Sequence, residues 1–348
     1  MSGAPPVLGF LGIHRGDSDR VPGQDEFLAV KFAAAGYPVR TGSSVAWPPL
    51  RTLDQAWKAV SWRDVDVLVV AVYSGPSFAY AELVSRLVRR NRSKLVLFLH
   101  GGNLPVFAES RRGRVRGVLE RADLILSPSP FLAEAFRPWG YDVRVIPNVL
   151  PVDPAPGHDR TSPRPALLWM RTFHEHYDPS SAVEAFAKVA AAHPDATLTM
   201  AGADHGLLES TRQRARELGV DDRVSFPGYL DAAGKADAFA RHDLFVNTNL
   251  VDNTPVSVLE AAAAGLVPVA TRVGGIPALL ADGTDSVLVR PSDPQALADA
   301  VCGLLEDPDR FARLSAGARR LAQASTWPAV HDRWVEELRL LLPGRTLP

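Results

Sequence analysis

Short apolar runs rich in β-branched residues alternate along the chain with stretches of helical period, such as Asp25–Ala35 and Phe78–Arg90. Runs that are apolar on both faces and are separated by helices are what a buried parallel sheet requires. In the first half the pattern predicts strands at Val7–Ile13, Tyr37–Thr41, Val65–Val72, Lys94–Leu99, Leu124–Ser127 and Val143–Pro147. In the second half it predicts strands at Ala166–Met170, Ala196–Ala201, Arg223–Phe226, Leu244–Asn247, Val267–Thr271 and Ser286–Val289. The pattern therefore favours an α/β protein with two parallel sheets.

A proline-rich segment separates the two sets of strands. Prolines 151, 154, 156, 163 and 165 lie within Leu150–Pro165, and that density prevents a continuous helix or a central strand. We therefore expect two doubly wound domains joined by one linker. An amphipathic pattern at Ala329–Leu342 predicts a last helix that packs back on the first domain. The predicted division is a first domain at 1–150, a linker at 151–165, a second domain at 166–327 and a C-terminal helix at 328–348.

Composition narrows the class of protein. The chain has 38 Lys and Arg against 39 Asp and Glu, which argues against binding to nucleic acid mainly by phosphate neutralisation. A single cysteine excludes a disulfide framework and a cysteine-based zinc site. No apolar run approaches the roughly 20 residues that span a bilayer, and the first residues lack a signal-peptide pattern. We therefore expect a cytoplasmic protein that does not bind nucleic acid.

The most informative segment is Asn247–Leu280, which reads N-T-N-L-V-D-N-T-P-V-S-V-L-E-A-A-A-A-G-L-V-P-V-A-T-R-V-G-G-I-P-A-L-L. In doubly wound sheets ligands bind beyond the carboxyl ends of strands, so with two domains we expect the site in a central cleft. Thr254 suits the N-cap of a helix, Pro255 its first position and Gly265 the residue past its end. The amides of residues 255–257 then form an anion site at the positive end of the helix dipole.

Glu260 lies further along the same predicted helix and is the charged residue in an otherwise apolar, alanine-rich stretch. A carboxylate at this position can accept two hydrogen bonds from vicinal hydroxyls, such as those of a ribose. The alternative is a capped helix whose glutamate faces solvent, since exposed glutamate is common on helices. The combination with Asp252, the cap and the downstream Gly274-Gly275 favours the binding role.

The segment resembles the acidic-x7-acidic motif of the retaining GT-B glycosyltransferases of family 4, with Asp252 and Glu260 at the two acidic positions. The continuation A-A-A-A-G-L-V-P-V-A-T-R-V-G-G-I-P is also similar to that family. The resemblance implies the GT-B fold, with two Rossmann-like domains facing a central cleft. It implies that Asp252 contacts the donor sugar and that Glu260 binds the nucleotide ribose. It also implies that amides of the intervening loop and helix start hold the diphosphate, at Asn253, Thr254, Pro255, Val256 and Ser257.

Other positions agree with the family in part. His100, in L-V-L-F-L-H-G-G, resembles the family's donor-side histidine, although a hydrogen-bonded structural histidine is the alternative. Arg171 follows the first strand of the second domain, where the family places an arginine that reaches the diphosphate. A surface salt bridge is equally compatible with that residue. The run V-I-P-N-V at 145–149 resembles the family's domain-closing turn, with Val149 where glycine is usual.

Three positions depart from the family. Position 176, where the family has a lysine that helps to neutralise the diphosphate, is histidine. His174 or His176 could replace the lysine when protonated, which predicts better donor binding at lower pH. The first acidic residue is Asp252 rather than glutamate. The glycine-rich turn after the first strand is reduced to R-V-P-G-Q around Gly23, which could also be a simple loop breaker.

The resemblance implies glycosyl transfer from a nucleotide-diphosphate sugar with retention, and without a metal or other cofactor. The acceptor is undetermined: a glycan, a lipid-linked molecule or a small molecule. One alternative is another GT-B enzyme, such as an epimerase or phosphorylase, which needs further acid and base groups or a cofactor lysine. A non-catalytic module that binds nucleotide sugars is another alternative. A dinucleotide oxidoreductase is disfavoured because no G-x-G-x-x-G follows a predicted strand.

Two basic clusters lie in the first domain. Solvated helix faces are the favoured interpretation of both. The sharper hypothesis is peripheral contact with an anionic membrane or a lipid-linked acceptor, at about 1 kcal/mol per basic residue near the surface. The clusters are Arg89, Arg90, Arg92 and Lys94, and then Arg111, Arg112, Arg114 and Arg116.

The loop Trp47-Pro48-Pro49 either lines an acceptor site or caps the sheet.

Overall fold

The computed structural model describes residues 4–13, 23–45, 47–88, 92–151 and 160–348. The chain forms two compact units. Unit 1 comprises Met1–Pro151 together with Trp327–Pro348, and unit 2 comprises Val152–Thr326.

Unit 1 is built on a parallel sheet of six strands. The strands are β1 (Leu8–Ile13), β2 (Val39–Ser43), β3 (Val67–Val72), β4 (Lys94–Leu99), β5 (Leu124–Ser127) and β6 (Val143–Val145). Their order in the sheet is β2-β1-β3-β4-β5-β6. The centre of the sheet is apolar on both faces, and every residue of β3 is buried. The helices that connect the strands are α1 (Gln24–Ala34), α2 (Pro48–Ser61), α3 (Phe78–Val88), α4 (Leu104–Ser110), α5 (Arg112–Leu119) and α6 (Pro130–Phe136).

Unit 2 has its own parallel sheet of six strands. The strands are β7 (Ala166–Met170), β8 (Thr197–Ala201), β9 (Val224–Gly228), β10 (Leu244–Asn247), β11 (Val267–Thr271) and β12 (Val287–Val289). Their order in the sheet is β12-β11-β10-β7-β8-β9. The order reverses between β7 and β10, which are adjacent in the sheet although 76 residues lie between Leu168 and its partner in register, Phe245. The helices are α7 (Pro179–Ala192), α8 (Leu208–Glu217), α9 (Ala232–Arg241), α10 (Val256–Ala263), α11 (Ile276–Leu279), α12 (Pro294–Leu305) and α13 (Pro308–Gln323).

The last helix, α14 (Trp327–Leu341), returns to unit 1. Val330, Trp334 and Leu338 are buried in the core between α14, α1 and the first sheet. The Trp334 ring meets Phe32 of α1 and Phe98 of β4 edge to face, with centroids 5.7 and 5.9 Å apart. These contacts make α14 part of the hydrophobic core of unit 1.

The predicted fold class is confirmed: both units are doubly wound α/β sheets. The strand bounds at Lys94–Leu99, Leu124–Ser127, Ala166–Met170, Leu244–Asn247 and Val267–Thr271 agree residue for residue with the sequence pattern.

Two local predictions are wrong. Trp47-Pro48-Pro49 is not a loop, because α2 begins at Pro48 and Trp47 is its N-cap residue. Proline fits there since the first helical amides need no partner within the helix. The last helix begins at Trp327, before Pro328 rather than after it, for the same reason. Arg89 and Arg90, the predicted end of the helix from Phe78, lie outside the described residues.

Candidate active site

The reversal of strand order in unit 2 brings two polar chain segments together at the carboxyl edge of its sheet. Arg171 directly follows β7, and a polar loop from Thr248 to Pro255 follows β10. Because β7 and β10 are neighbours, the loops that leave them diverge to opposite faces and leave a crevice.

Helix α10 begins one residue later than the sequence suggested. Pro255 is the N-cap residue and Val256 the first helical residue, so Thr254 is not the cap. Pro255 also has no amide hydrogen, so the predicted anion site of residues 255–257 is reduced to the amides of Val256 and Ser257. The amides of the next two residues, Val258 and Leu259, donate to the Pro255 carbonyl at 3.1 and 3.4 Å. The two free amides retain the positive end of the helix dipole behind them.

The other end of α10 follows the prediction. Gly265 has a φ of +82°, and its amide donates to Ala262 O at 2.9 Å. The amide of Leu266 donates to Ala261 O at 3.0 Å, which completes a Schellman motif. The helix is therefore closed at its C-terminus and open at its N-terminus.

Gly274 and Gly275 explain how the loop before α10 is held. A Cβ atom on Gly274 would lie 2.0 Å from the carbonyl oxygen of Asp252, and one on Gly275 would lie 2.2 Å from that of Asn253. The Gly275 amide donates to Asp252 O at 3.1 Å. Only glycine permits this close approach of backbone to backbone. The Gly-Gly pair thus acts by fixing the loop that carries Asp252.

Asp252 is the centre of a hydrogen-bonded group. Its Oδ2 accepts from Arg171 Nη2 and from Asn249 Nδ2, the latter at 2.7 Å, and its Oδ1 accepts from the Asn253 amide at 2.7 Å. The Arg171 guanidinium also stacks over the Tyr177 ring, 4.1 Å from its centroid. Arg171 and Asp252 are thus brought together as predicted site residues, while Asn249 and Tyr177 are partners that the sequence did not indicate.

Several polar atoms around this group are buried without a hydrogen-bond partner among the described residues. They include Arg171 Nε, Ser257 Oγ, Asn249 Oδ1 and Asn247 Nδ2. A buried polar atom without a partner costs about 1–3 kcal/mol, so a cluster of them is not expected in a site that serves packing alone. Unused hydrogen-bonding capacity therefore lies on Arg171, on the two asparagines at the end of β10 and on Ser257 of α10.

Glu260 does not face solvent. Its side chain is 11% exposed and accepts two hydrogen bonds from Lys235 Nζ of α9, at 2.9 and 3.0 Å. Burial raises the pKa of Glu260, and the charge and hydrogen bond of Lys235 act in the opposite direction. The role of Lys235 cannot be predicted from the sequence pattern, because its contact with Glu260 depends on how α9 packs beside α10.

His176 lies in a short 3-10 turn, Glu175–Tyr177, just after β7. Its side chain is exposed, and its carbonyl oxygen accepts from the Leu250 amide at 2.7 Å, which ties the two loops of the site together. The ring of His174 lies 4.6 Å from that of His176 and 6.4 Å from that of His205. Three imidazoles therefore cluster at the end of β7 and β8.

His100 belongs to unit 1, where it follows β4. Its ring packs against Phe98 and Tyr73, with centroids 4.3 and 5.6 Å away, and its Nε2 is buried without a hydrogen-bond partner among the described residues. Burial lowers the pKa of His100 to about 4, so the imidazole is neutral at pH 7. The alternative of a hydrogen-bonded structural histidine is not supported at Nε2.

Within the described ranges, no group of three or more His, Cys, Asp and Glu side chains is arranged to hold a metal ion. None of the described helices is long and apolar enough to cross a bilayer.

Two family profiles match successive parts of the chain. The profile described as "Glycosyltransferase Family 4" matches residues 14–154, and the one described as "Glycosyl transferases group 1" matches residues 164–307, which include Arg171, Asp252 and Glu260. Among curated proteins, the D-inositol 3-phosphate glycosyltransferase 2 of Catenulispora acidiphila is 36% identical over 145 residues. That alignment covers 39% of this chain and 34% of the relative, so the matched region is about a third of the relative's length.

Solved structures match over almost the whole chain. The sucrose-phosphate synthase of Thermosynechococcus elongatus superposes with a TM-score of 0.77 at 19% identity, covering 97% of this chain and 99% of that one. The Anabaena protein HepE in complex with UDP-glucose gives 0.74 at 19% identity, covering 96% and 99%. At this identity the likeness concerns the fold. The two profile matches, which together span both units, show that the chain belongs to the group 1 glycosyltransferases of family 4.

Proposed function

We propose that this protein transfers a glycosyl residue from a nucleoside-diphosphate sugar to an acceptor hydroxyl, with retention of the anomeric configuration. The donor binds at the carboxyl edge of the unit 2 sheet. Its diphosphate meets Arg171 and the start of α10, and its ribose meets Glu260.

The observation that carries the proposal is the spacing between hydrogen-bond donors at the start of α10 and a carboxylate acceptor further along the same helix. The free amides of Val256 and Ser257 and the unpartnered Nε of Arg171 are donors suited to phosphate oxygens. Glu260 lies four residues further along, about 6 Å at 1.5 Å per residue. This acceptor of two hydrogen bonds suits the two hydroxyls of a ribose. A nucleoside diphosphate presents these groups in the same order, with phosphates at one end and ribose next.

Asp252 has a double role in this proposal. Its contact with Nη2 fixes the Arg171 guanidinium, and stacking on Tyr177 holds the plane of the fork. Nε is then left to donate to the diphosphate. The family resemblance assigns the contact with the donor sugar to the same carboxylate, which the Asn249 amide and the Asn253 backbone keep in place.

The reaction breaks the bond between the anomeric carbon and the diphosphate oxygen, and the electron pair remains on the diphosphate. The acceptor oxygen bonds to the anomeric carbon on the same face, and its proton passes to the departing phosphate. The products are the glycosylated acceptor and a nucleoside diphosphate. Arg171 and the α10 amides stabilise the negative charge that develops on the leaving group. The proposal therefore assigns charge neutralisation to groups of the chain and uses no metal cofactor.

Two comparisons support a nucleotide sugar as the donor. HepE, which shares the fold, was solved with UDP-glucose bound. The family profile covers the segment that holds all the proposed donor residues of unit 2. We also propose a donor-side role for His100, which belongs to unit 1. The proposal rests on the family resemblance, on the neutral state of the ring and on its Nε2, which is buried without a hydrogen-bond partner among the described residues.

The test is a panel of nucleoside-diphosphate sugars, with release of nucleoside diphosphate as the readout and calorimetric binding of UDP, GDP and ADP beside it. We expect one nucleotide to bind and its sugar conjugate to be turned over, slowly to water without an acceptor. Glu260→Ala should abolish binding of that nucleotide. Glu209→Ala, an exposed glutamate on α8, is the matched control and should bind as the wild type does.

Absence of binding by every nucleotide would contradict the donor site. Binding without turnover, with any acceptor extract added, would favour the alternative of a non-catalytic binding module. Retention is tested separately, by NMR of the anomeric proton in the first product formed from an α-configured donor. A product of β configuration would show inversion and would contradict that part of the proposal alone.

A further inference from the structure

The outward face of α2 in unit 1 is apolar. Trp47, Leu50, Leu53 and Trp57, here called the α2 stripe, have exposed fractions of 59%, 50%, 65% and 70%. At 100° per residue the last three lie within a narrow arc, and Trp47 precedes them at the helix start. Among the described residues these are large hydrophobic side chains concentrated on one helix face rather than scattered singly, and such a patch marks an interaction surface.

The rotation of α2 about its axis is fixed by polar contacts on its inner side. Gln55 is 4% exposed, and its Nε2 donates to Gly12 O at 2.7 Å. Lys58 Nζ donates to Gly42 O at 2.9 Å and pairs with Asp54 at 2.9 Å. The helix therefore buries an amide and exposes two tryptophans, the reverse of what the hydrophobic effect alone would select. A defined set of bonds holds the stripe toward solvent.

The stripe shares its side of the sheet with a basic surface. Side chains of α2, α3 and α5 pack into the same core on one face of the unit 1 sheet. Beside them four arginines, here called the α5 arginines, are exposed: Arg111, Arg112, Arg114 and Arg116. Some of their charge is paired, since Arg114 contacts Glu82, which Arg86 also contacts, and Arg116 lies 3.8 Å from Glu120. The Arg112 guanidinium stacks over the Trp139 ring and keeps its charge.

The opposite side of the same sheet has a different character. It is covered by α1 and α14, which pack into the other core of unit 1. These two helices carry more acidic than basic residues, and their exposed apolar side chains, Val30 and Leu340, lie on separate helices. The α2 stripe and the α5 arginines thus lie on one face, whereas the opposite face has more acidic than basic residues on its helices, and this distribution suits an anionic interface.

We propose that the α2 stripe inserts into the headgroup region of an anionic lipid bilayer, with the α5 arginines on lipid phosphates. Tryptophan suits this depth because its ring is apolar and its N–H can remain hydrated. Leucines add buried apolar area, and nearby basic residues add attraction to anionic lipid. The protein lies on the surface through one face of unit 1. The inference does not rest on the proposed donor site, whose α10, Arg171 and Glu260 are in unit 2.

A second copy of the chain fits this face less well. Each partner of a stable dimer buries about 800 Å², and two partly exposed tryptophans with two leucines supply only part of that area. Pairing the face with itself would also bring the arginine-rich surfaces of two copies together, which costs electrostatic energy.

Vesicle co-sedimentation of the full chain tests the proposal. The vesicles are phosphatidylcholine with or without phosphatidylglycerol, at low and at high salt. We expect binding to the anionic vesicles, weaker binding at high salt, and at least tenfold weaker partitioning for Leu53→Glu/Trp57→Glu. The matched control is Val30→Glu/Leu340→Glu, which places the same charges at residues of similar exposure, 67% and 69%, on the other face. Neutralising the α5 arginines to Gln should reduce the preference for phosphatidylglycerol and leave residual binding.

Three results would overturn the proposal. The first is a wild-type protein that stays in the supernatant at low salt, and the second is equal partitioning of the two double variants. The third is a wild-type dimer in sedimentation velocity that Leu53→Glu/Trp57→Glu converts to monomer, which would assign the stripe to a second copy. Nucleotide binding by unit 2 and circular dichroism melting show whether each variant is folded, so a failure of the donor site is recognised separately.

Discussion

Strand β10 has an aspartate beyond each of its ends, and both aspartates contact arginine, but the two surroundings differ. Asp243, at the amino end, has a side chain that is 3% exposed and accepts hydrogen bonds from Arg160, from the Arg164 side chain and from the Arg164 amide. The remaining donors of Arg160 reach the carbonyls of His242, Phe239 and Ala264. This network is closed.

At the carboxyl end the network of Asp252 is open. Arg171 has one nitrogen on the carboxylate and another, Nε, buried without a partner among the described residues, and the nearby Asn249 Oδ1 and Ser257 Oγ are in the same condition. The comparison shows how similar ion pairs can be distinguished. A buried charge whose partners are complete stabilises the fold, whereas one beside unused donors and acceptors is arranged for a ligand.

The largest effect is expected at the closed network. Asp243→Ala removes the buried carboxylate that pairs with the largely buried Arg160 and with the exposed Arg164. Breaking a buried pair of this kind costs about 3–5 kcal/mol in the free energy of unfolding. Denaturant unfolding followed by circular dichroism measures it. The control is Asp237→Ala, which breaks the exposed pair with Arg241 and should cost no more than about 1 kcal/mol.

The effect of Asp243→Ala on the free energy of unfolding should depend on pH. Burial tends to raise the pKa of Asp243, but the hydrogen bonds from Arg164 and the charges of Arg160 and Arg164 outweigh it and hold the pKa below 3.8. A lowered carboxyl pKa contributes stability above the ordinary value, and that stability is lost as the pH falls through the lowered one. The difference in the free energy of unfolding between wild type and Asp243→Ala should therefore be largest at neutral pH and should disappear in strong acid. A difference that is independent of pH would contradict the ionic role.

Substitution of a residue in the open network should reduce catalytic turnover rather than the stability of the fold. Arg171→Met is expected to lower the rate of nucleotide-sugar turnover by about 100- to 1,000-fold, the range for loss of one charge-stabilising donor. Its effect on unfolding should be much smaller than that of Asp243→Ala. Steady-state kinetics and thermal melting on the same preparation measure the two.

Arg272→Met is the control for Arg171. Arg272 follows β11 on the same edge of the sheet, but it is half-exposed and pairs with Asp282. We expect its turnover to match the wild type. Equal losses in both variants would mean that positive charge anywhere along this edge suffices, and the distinction between open and closed networks would not hold.

A smaller effect is expected at Lys235, which we assign as a positioning residue for Glu260. Burial raises the pKa of Glu260 and Lys235 counteracts it, so Lys235→Met should raise that pKa further. The ionised fraction of Glu260 then falls at neutral pH, and nucleotide affinity weakens several-fold. The loss should be recovered at alkaline pH, where the carboxyl group is ionised again.

Calorimetric titration of the nucleotide across pH measures this shift. Glu260→Gln cannot ionise and should lose affinity at every pH, while Lys188→Met, an exposed lysine on α7, should follow the wild-type profile. A loss in Lys235→Met that persists unchanged at alkaline pH would instead indicate that Lys235 contacts the nucleotide itself.

The smallest effect concerns position 176. His176→Lys places a compact ammonium charge at the position where the family has lysine. We expect a few-fold gain in nucleoside diphosphate affinity, measured by calorimetry. Glu175→Gln, in the same 3-10 turn, changes the local charge without placing a cation at 176 and should give a smaller gain. Equal gains for both variants would show a nonspecific effect of charge.

The sequence was most informative where one physical effect dominates. Strands such as β4 and β10 are continuous apolar runs whose burial fixes their bounds, and the helix end at Gly265 follows from a φ that other residues avoid. The start of α10 was misplaced by one residue because proline fits both at the N-cap and at the first helical position. The contacts of Asp243 could not be predicted, since Arg160 and Arg164 lie about 80 positions away.

The candidate site divides in the same way. Asp252 and Glu260 stand out by spacing, and Arg171 by its place after a strand. Lys235 and Asn249 were missed because their roles depend on how neighbouring elements pack. The orientation of α2 was also beyond the sequence pattern, because amphipathicity alone would turn Leu53 and Trp57 inward, and Gln55 holds them outward.

The position of α14 in the core of unit 1 has a consequence for biosynthesis. A ribosome releases the first strands long before Trp334, so Phe32 and Phe98 lack one of their neighbours until the whole of unit 2 has been synthesised. Unit 2 is continuous along the chain and can fold as it emerges, whereas the core of unit 1 is completed only after α14 has emerged. A chain that stops early is therefore left with an uncovered apolar face, which quality-control proteases and chaperones recognise.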